Sequence, residues 1–291
     1  MASTLYRGTR SDAESRARDW AEIQERMLVP LYESVYDRLE VGADTRLLGL
    51  GCGAGLALLL AADRGAAVTG FETDEQRLAL ARERLLPAHP WGGPARARGR
   101  TRLTAGVPHR LTGGFDLVTA FDPAAPAAEL LPSLCAAAAT ADPDTAIVLA
   151  GWGPPERCAT SRVLRVATRL AEPRGPAARE VRLSGRDDLE NLALAAGLRP
   201  DGSGRVSCPF GYPDLPSAVR GLLSTGLFDA AVEATDRQQV DKEIAEALHP
   251  YRRPDGSVRM ENVFRYLIVR TPDAGDPGAD RPGGQAARRR A

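Results

Sequence analysis

The 291-residue chain lacks the features that mark several large classes of protein. Lysine occurs once, at Lys242, and 38 basic residues balance 38 acidic ones. With no net charge, no overall field attracts nucleic acid or an anionic membrane. No apolar run reaches the ~18 residues that a membrane-spanning helix needs. We therefore expect neither a nucleic-acid partner nor a membrane partner.

Cysteine is scarce and widely spaced, at positions 52, 135, 158 and 208. The absence of any C-x-x-C pair excludes the usual zinc and disulfide frameworks, so we predict buried free thiols and no metal site. The first seven residues also lack the apolar core of a signal peptide. Together these absences predict a cytoplasmic protein.

The most informative segment that is present runs from residue 45 to residue 72. An apolar strand leads into Gly51-Cys52-Gly53-Ala54-Gly55, a helix follows, and a second strand ends at Glu72. Glycines allow a sharp turn against which a ligand can lie, and a strand-end acid can accept hydrogen bonds from ribose hydroxyls. This pattern predicts half of a nucleotide-binding βαβ unit.

Strands and helices alternate along the chain, which predicts an α/β fold with a mostly parallel sheet and helices on both faces. An amphipathic helical segment, residues 12–40, contains a break at Pro30. A capping box is expected at Thr73 and Gln76. The ranges predicted as further strands are 100–105, 115–121, 145–151, 205–210 and 263–269. Those predicted as helices are 54–64, 73–86, 126–140, 155–170, a helix that contains Leu189, Leu192 and Leu194 and ends at Gly197, and two helices within 214–249.

Five segments in this order carry a family resemblance: Gly51–Gly55, Val68–Glu72, Ala79–Glu83, Phe115–Ala120 and Gly151–Pro155. On them the chain resembles the class I S-adenosylmethionine-dependent methyltransferases, and most closely small-molecule enzymes of the ubiquinone-biosynthesis type. The resemblance implies a Rossmann-like, seven-stranded, mostly parallel sheet whose last strand is antiparallel. It also implies three parts: an N-terminal helical lid (1–40), a methyltransferase-like domain with a helical insert (41–271, insert about 212–250) and a disordered tail (272–291).

The same resemblance implies S-adenosyl-L-methionine as cofactor and a small-molecule substrate, and it leaves a homodimer open. The glycine turn with Cys52 would pass under the methionine and ribose, and Glu72 would hold the ribose. The other residues implied at the cofactor are Phe71 or Thr73 beside the adenine, Phe121 and Asp122 facing the methyl group, and Trp20, with Tyr6 or Tyr32, in the lid.

Two kinds of residue are candidates for catalysis. Asp122 either positions the acceptor or serves as an ordinary loop acid, and His109 or His249 either acts as a base or lies on the surface. Because methyl transfer is an in-line displacement, holding donor and acceptor in line supplies much of the rate, and a base is not required.

Three positions depart from the family pattern. The ribose acid is usually Asp and here is Glu72. Gly49 stands where an acid is usual, and residues 100–106 contain no acid for the adenine amino group. Each missing charge-assisted hydrogen bond costs ~1.5–3 kcal/mol of binding. Two functions therefore stay open: methyl transfer to a small, largely apolar molecule, in a role such as natural-product biosynthesis, and a non-catalytic relative that regulates, scaffolds or senses a ligand.

Overall fold

A seven-stranded sheet forms the centre of the computed structural model, which describes residues 12–86, 100–108, 114–123, 125, 127–171 and 185–272. Its strand order is β3-β2-β1-β4-β5-β9-β6. These strands are β1 (Arg46–Leu50), β2 (Ala67–Glu72), β3 (Thr101–Ala105), β4 (Leu117–Ala120), β5 (Ala146–Trp152), β6 (Arg199–Ser207) and β9 (Val263–Arg270). The strands from β3 to β5 are parallel, whereas β9 runs antiparallel to β5 and β6. The predicted fold class, with an antiparallel last strand, is confirmed.

Helices cover both faces of the sheet because successive side chains of a strand point to opposite faces. Leu47 of β1 belongs to one buried cluster and Leu48 to the other. The helices are α1 (12–19), α2 (Val29–Arg38), α3 (Leu56–Asp63), α4 (Glu75–Leu85), α5 (Ala127–Thr140), α6 (Thr160–Ala171), α7 (Asp188–Ala195), α8 (Leu215–Leu223), α9 (Asp229–Ala234) and α10 (Arg237–Ala247). The helices α5 and α7 contribute to the second cluster, and α2, α3 and α6 to the first.

The N-terminal segment is helical but irregular. Helix α1 continues into a π-helical turn, Trp20–Gln24, and then a 3₁₀ turn, Glu25–Leu28, before α2 begins at Val29. The break expected at Pro30 therefore lies just before it, since proline is tolerated in the first turn of a helix. The boundaries expected at residues 40 and 271 stay predictions, and residues 273–291 of the expected tail lie outside the described residues.

The second half of the chain differs from the sequence prediction at three places. Strand β6 begins at Arg199 and ends at Ser207, so the predicted range 205–210 missed the first six residues of the strand and continued past its end. Phe210–Tyr212 is a separate strand, β7, paired with β8 (Val258–Met260) in a two-stranded sheet. The segment 214–249 holds three helices, not two.

Three cysteines are buried, but Cys135 is exposed, so the prediction of buried thiols was wrong at that position. Helix α5 places it on the solvent side. Among the described residues, no cluster of His, Cys, Asp and Glu has the composition to hold a metal ion. Within the same ranges, no helix combines the length and the apolar character that crossing a membrane would require.

Candidate functional site

The glycine turn after β1 adopts a left-handed backbone at each of its glycines. The φ angles are 62° at Gly51, 59° at Gly53 and 83° at Gly55, a region that residues with a Cβ avoid. The amide of Cys52 donates to Phe71 O at 2.9 Å, which ties the turn to the end of β2. The chain thus reverses sharply at the carboxyl edge of the sheet and starts α3 there.

Glu72, the last residue of β2, is buried and turned toward the glycine turn. Its Oε2 accepts a hydrogen bond from the Gly53 amide at 2.7 Å, and its Oε1 accepts one from the Asp74 amide at 2.9 Å. Asp74, rather than Thr73, is the N-cap of α4, so the predicted capping box was wrong. The Glu72 carboxylate therefore joins two turns of the main chain beside the predicted ligand site.

A cavity of about 160 Å³, the outer cavity, lies at this edge of the sheet. Its lining residues are Leu50, Gly51, Phe71, Glu72, Thr73, Gly106, Val107, Pro108, Ala120, Asp122, Ala125, Glu129, Leu130, Ser133 and Thr225. The loop after β3 brings no acid to it, as the sequence of residues 100–106 requires. Glu129 and Ser133 of α5 supply polar groups to the same cavity.

A second cavity, the inner cavity, lies next to it and is nearly full. Its volume is about 20 Å³, room for about one water molecule. Its lining residues are Trp20, Glu25, Tyr32, Gly49, Leu50, Gly51, Cys52, Gly53, Ala57, Leu58, Thr119, Phe121 and Asp122. Gly51 and Asp122 line both cavities, so the two spaces are halves of one cleft.

The N-terminal segment fills the inner cavity. An ideal Cβ built on Gly53 would lie 3.0 Å from Glu25 Oε1 and 3.2 Å from Trp20 Nε1. The Trp20 side chain is buried, yet its Nε1–H has no hydrogen-bond partner among the described residues. Trp20 thus lies over the turn, and its one polar side-chain atom is unsatisfied.

Glu25 is a site residue that the sequence analysis missed. It is 1% exposed, and its Oε1 accepts a hydrogen bond from the Leu56 amide at the start of α3, at 3.3 Å. Its Oε2 accepts one from Arg84 Nη1 at 2.6 Å. Burial raises the pKa of Glu25, and the charge of Arg84 opposes that rise. The sequence signal that could have identified it is an acid on the apolar face of the N-terminal segment, four residues after Ala21 and three before Leu28.

Two arginines of α4 hold the N-terminal segment in place. Arg84 also donates to Ala54 O at 2.8 Å and to Ala21 O at 3.1 Å, bridging the turn and the segment. The Arg77 guanidinium lies 4.3 Å from the centre of the Trp20 ring, a cation–π contact. It also approaches Asp122 Oδ2 at 4.0 Å. Seven residues apart, both arginines lie on one face of the helix.

Within the part of the chain that the structure describes, no polar side chain fills the space beside Gly49. An ideal Cβ there would lie 3.1 Å from Leu58 Cδ2 and 3.5 Å from Cys52 Cβ, both apolar neighbours. The carboxylates nearest to the turn come instead from Glu25 and Glu72. The acid that is usual at position 49 is therefore not replaced on its own side of the turn.

Most of the predicted cofactor residues lie around the two cavities. Gly51, Cys52, Gly53, Glu72, Thr73, Phe121, Asp122 and Trp20 line one or both. Gly55 does not, since its Cβ position faces Ala81 and Leu85 of α4. The candidate base His109 and the lid candidate Tyr6 lie outside the described residues, and His249 is exposed in a short turn after α10. The binding and catalytic roles of these residues stay predictions.

Cys52 and Phe121 are constrained by their surroundings. Burial raises the pKa of the Cys52 thiol to about 12, so it stays protonated at neutral pH and is no nucleophile. The Phe121 ring packs on Tyr32 at 5.0 Å and on Tyr36 at 5.9 Å between centroids. These contacts fix the apolar wall of the inner cavity.

A third cavity, the side cavity, begins at the residue after Asp122 and has a volume of about 210 Å³. Its lining residues are Pro123, Trp152, Gly153, Pro155, Cys158, Ser161, Leu164, Arg165, Thr168 and Leu227. Trp152 is held by Phe264, with 4.4 Å between ring centroids. The side cavity is mostly apolar, with the exposed Arg165 at its rim.

No protein-family model matches the chain, and no curated protein matches it in sequence. Solved structures share its fold. A candidate methyltransferase of Bacillus halodurans is 12% identical, with a TM-score of 0.52, covering 83% of this chain and 98% of that one. The YcgJ protein of Bacillus subtilis is 16% identical, with a TM-score of 0.52 and the same coverage. YjhP of E. coli is 16% identical at a TM-score of 0.50, covering 87% and 98%.

Identities this low establish the fold and not the reaction. The chain has the fold of the class I methyltransferases, as its sequence predicts.

Proposed function

We propose that the protein is an S-adenosylmethionine-dependent methyltransferase acting on a small, largely apolar molecule. The observation that carries this proposal is the outer cavity, where Gly51, Glu72 and Asp122 meet at the carboxyl edge of the sheet. In doubly wound sheets this edge is where nucleotides bind. The proposal includes action in the cytoplasm, in a role such as natural-product biosynthesis.

The residues at the outer cavity fit the nucleoside part of the cofactor. Glu72 can accept hydrogen bonds from ribose hydroxyls, and Phe71 and Thr73 flank the space for the adenine. Glu129 and Ser133 of α5 offer acceptors for the adenine amino group, which the loop after β3 does not supply. The inner cavity, with about 20 Å³, has no room for the amino-acid end of the cofactor while residues 20–28 lie over the turn.

The bound cofactor would supply a methyl group on a sulfonium centre, ready for displacement. The chain's own part is to hold an acceptor in line with that group and to keep water away. Asp122 lies between the inner and outer cavities, and the side cavity begins at Pro123. The apolar lining of the side cavity supports a largely apolar acceptor.

A second candidate function is a non-catalytic relative that has lost the cofactor. The closed inner cavity and the missing acid at Gly49 favour it. Such a protein would regulate, scaffold or sense a ligand through the same fold.

Calorimetric titration with S-adenosylmethionine and S-adenosylhomocysteine distinguishes the two functions. We expect both to bind with a Kd at or below ~100 μM, which corresponds to roughly −5.5 kcal/mol. Absence of heat at millimolar concentration of either ligand would exclude the methyltransferase and favour the second candidate. ATP serves as control, because a site that accepts any adenine nucleotide would bind it equally well.

A further inference from the structure

Glu25 occupies a position that suits a ligand's carboxylate. Its side chain reaches the start of α3, an eight-residue helix, and its Oε1 accepts a hydrogen bond from the Leu56 amide there. Free main-chain N–H groups and the helix dipole make such a terminus attractive to anions. A carboxylate of the chain itself therefore fills this place above Gly53.

Trp20 gives a second, independent sign that the closed arrangement gives way to a ligand. Its indole is 5% exposed, and the Nε1–H lies 3.2 Å from the Cβ position of Gly53 without any partner among the described residues. A buried donor that lacks an acceptor is costly, so the closed arrangement leaves one interaction unmade. Departure of the segment that carries Trp20 would remove this cost, because the Nε1–H could then bond to water.

We propose that Glu25 is a specificity residue that competes, within the chain, with the amino-acid end of the cofactor. In the conformation described here the cleft accepts 5′-thioadenosines without an amino-acid end, in the outer cavity. The whole cofactor binds only after residues 20–28, the N-terminal plug, leave the glycine turn. This inference rests on the proposed function and adds a selection step to it.

The contacts of the plug explain both why it stays and how it leaves. Arg84 links the plug to the turn through Glu25, Ala21 O and Ala54 O, and its side chain is 25% exposed. Solvent can therefore reach the cation that holds the buried acid. Breaking this one cluster frees Glu25 and uncovers the amide of Leu56 together.

The test compares S-adenosylhomocysteine with 5′-methylthioadenosine, which shares the nucleoside and the sulfur but has no amino-acid end. Titrations use the full chain and its Glu25→Ala variant. Removing the competing carboxylate should tighten binding of S-adenosylhomocysteine about tenfold, equal to ~1.4 kcal/mol, and leave that of 5′-methylthioadenosine within about twofold. Glu22→Ala, an exposed acid of the same segment, is the matched control and should change neither.

Each other result is decisive. Weaker binding of S-adenosylhomocysteine to Glu25→Ala would overturn the proposal, because Glu25 would then be a ligand of the cofactor's ammonium group. Unchanged binding would overturn it as well, while leaving the proposed function intact. If neither ligand binds the unmodified chain or any variant, the proposed function itself fails.

A second variant and a kinetic measurement protect the test against misfolding of Glu25→Ala. Arg84→Gln leaves Glu25 buried without its cation, so the plug should leave the turn. Binding of S-adenosylhomocysteine should therefore tighten in this variant as well. Arg82→Gln, at an exposed arginine of the same helix, is its control. On the unmodified protein, stopped-flow association should saturate with concentration for S-adenosylhomocysteine, since opening limits it, and stay linear for 5′-methylthioadenosine. Linear kinetics for both ligands would overturn the proposal.

Discussion

The outer and inner cavities are formed by the same glycine turn, yet one offers about 160 Å³ and the other about 20 Å³. The sheet does not cause this difference, because Gly51 and Asp122 line both spaces. The difference comes from residues 20–28, which cover only the inner side through Trp20 and Glu25. A turn of this kind therefore defines where a ligand could lie, whereas the segment above it decides how much of the ligand fits.

The largest effect is expected for Gly55→Ala, a substitution on the packed side of the turn. At φ 83° an added Cβ would lie 3.0 Å from Ala81 Cβ and 3.2 Å from its Cα. Backbone strain of ~1–2 kcal/mol and overpacking of ~1–3 kcal/mol should lower the free energy of unfolding by about 3 kcal/mol. Chemical denaturation measures this change, with Gly211→Ala, where a Cβ meets nothing within 4 Å, as control.

Gly51→Ala sharpens the comparison, since its Cβ position also meets nothing within 4 Å but lines both cavities. Gly51→Ala should lower the free energy of unfolding only by the backbone strain of ~1–2 kcal/mol. It should weaken the binding of 5′-methylthioadenosine more than Gly55→Ala does. Equal losses of stability at the two glycines would contradict the distinction between an open and a packed side.

The next effect concerns Glu72, whose two carboxylate oxygens accept hydrogen bonds from two different main-chain amides. Glu72→Gln keeps the shape but retains only one acceptor oxygen, so either the Gly53 amide or the Asp74 amide loses its partner. We expect the ligand-free protein to lose ~1–3 kcal/mol of unfolding free energy. Glu75→Gln, an exposed acid of the neighbouring helix, is the control. Were Glu72 only a ligand residue, the stability without ligand would not change.

The smallest effect is a pH dependence of ligand binding at the inner cavity, which the N-terminal plug closes. The pKa of Glu25 is raised above 4.5 by burial, so the closed plug binds its proton more tightly than the open segment does. Closure of the plug is therefore favoured at a pH below the raised pKa of Glu25 and is weakened as the pH rises through that pKa. Because Arg84 offsets part of the burial cost, we expect a modest gain in affinity for S-adenosylhomocysteine as the pH rises through the raised pKa of Glu25.

The affinity for 5′-methylthioadenosine should stay constant over the same pH range, and Glu25→Ala should abolish the dependence seen with S-adenosylhomocysteine. Other charged groups near the acid are Arg84, Arg77 and the Glu72 carboxylate. A parallel pH trend for both ligands would show that Glu25 does not cause the effect.

The central part of the fold could be predicted because its signals are local. Apolar runs such as Leu47–Leu50 give strands, and glycines at 51, 53 and 55 give the turn. Strand β6 was placed too late because Pro200, Gly202 and Gly204 weaken the strand signal in its first half. The three-residue strands β7 and β8 carry too few residues to show a period.

The closed side of the cleft was not predictable in this way. Glu25 and Arg84 are 59 residues apart, and nothing in either local pattern indicates that they meet. Trp20 was expected in the lid, but its unsatisfied Nε1–H depends on the angle at which α1 ends in a π-helical turn. Contacts between distant segments of a chain require the packed structure.

The hydrogen bond from Gly53 to Glu72 has a consequence for recognising such proteins among genomes. An acid that fastens the backbone of its own turn is retained by selection for folding, whether or not any nucleoside ever arrives. Its presence in a related gene would therefore not be enough to indicate a nucleoside site. The residue pair at positions 25 and 84 is a better marker of how a descendant treats its ligand.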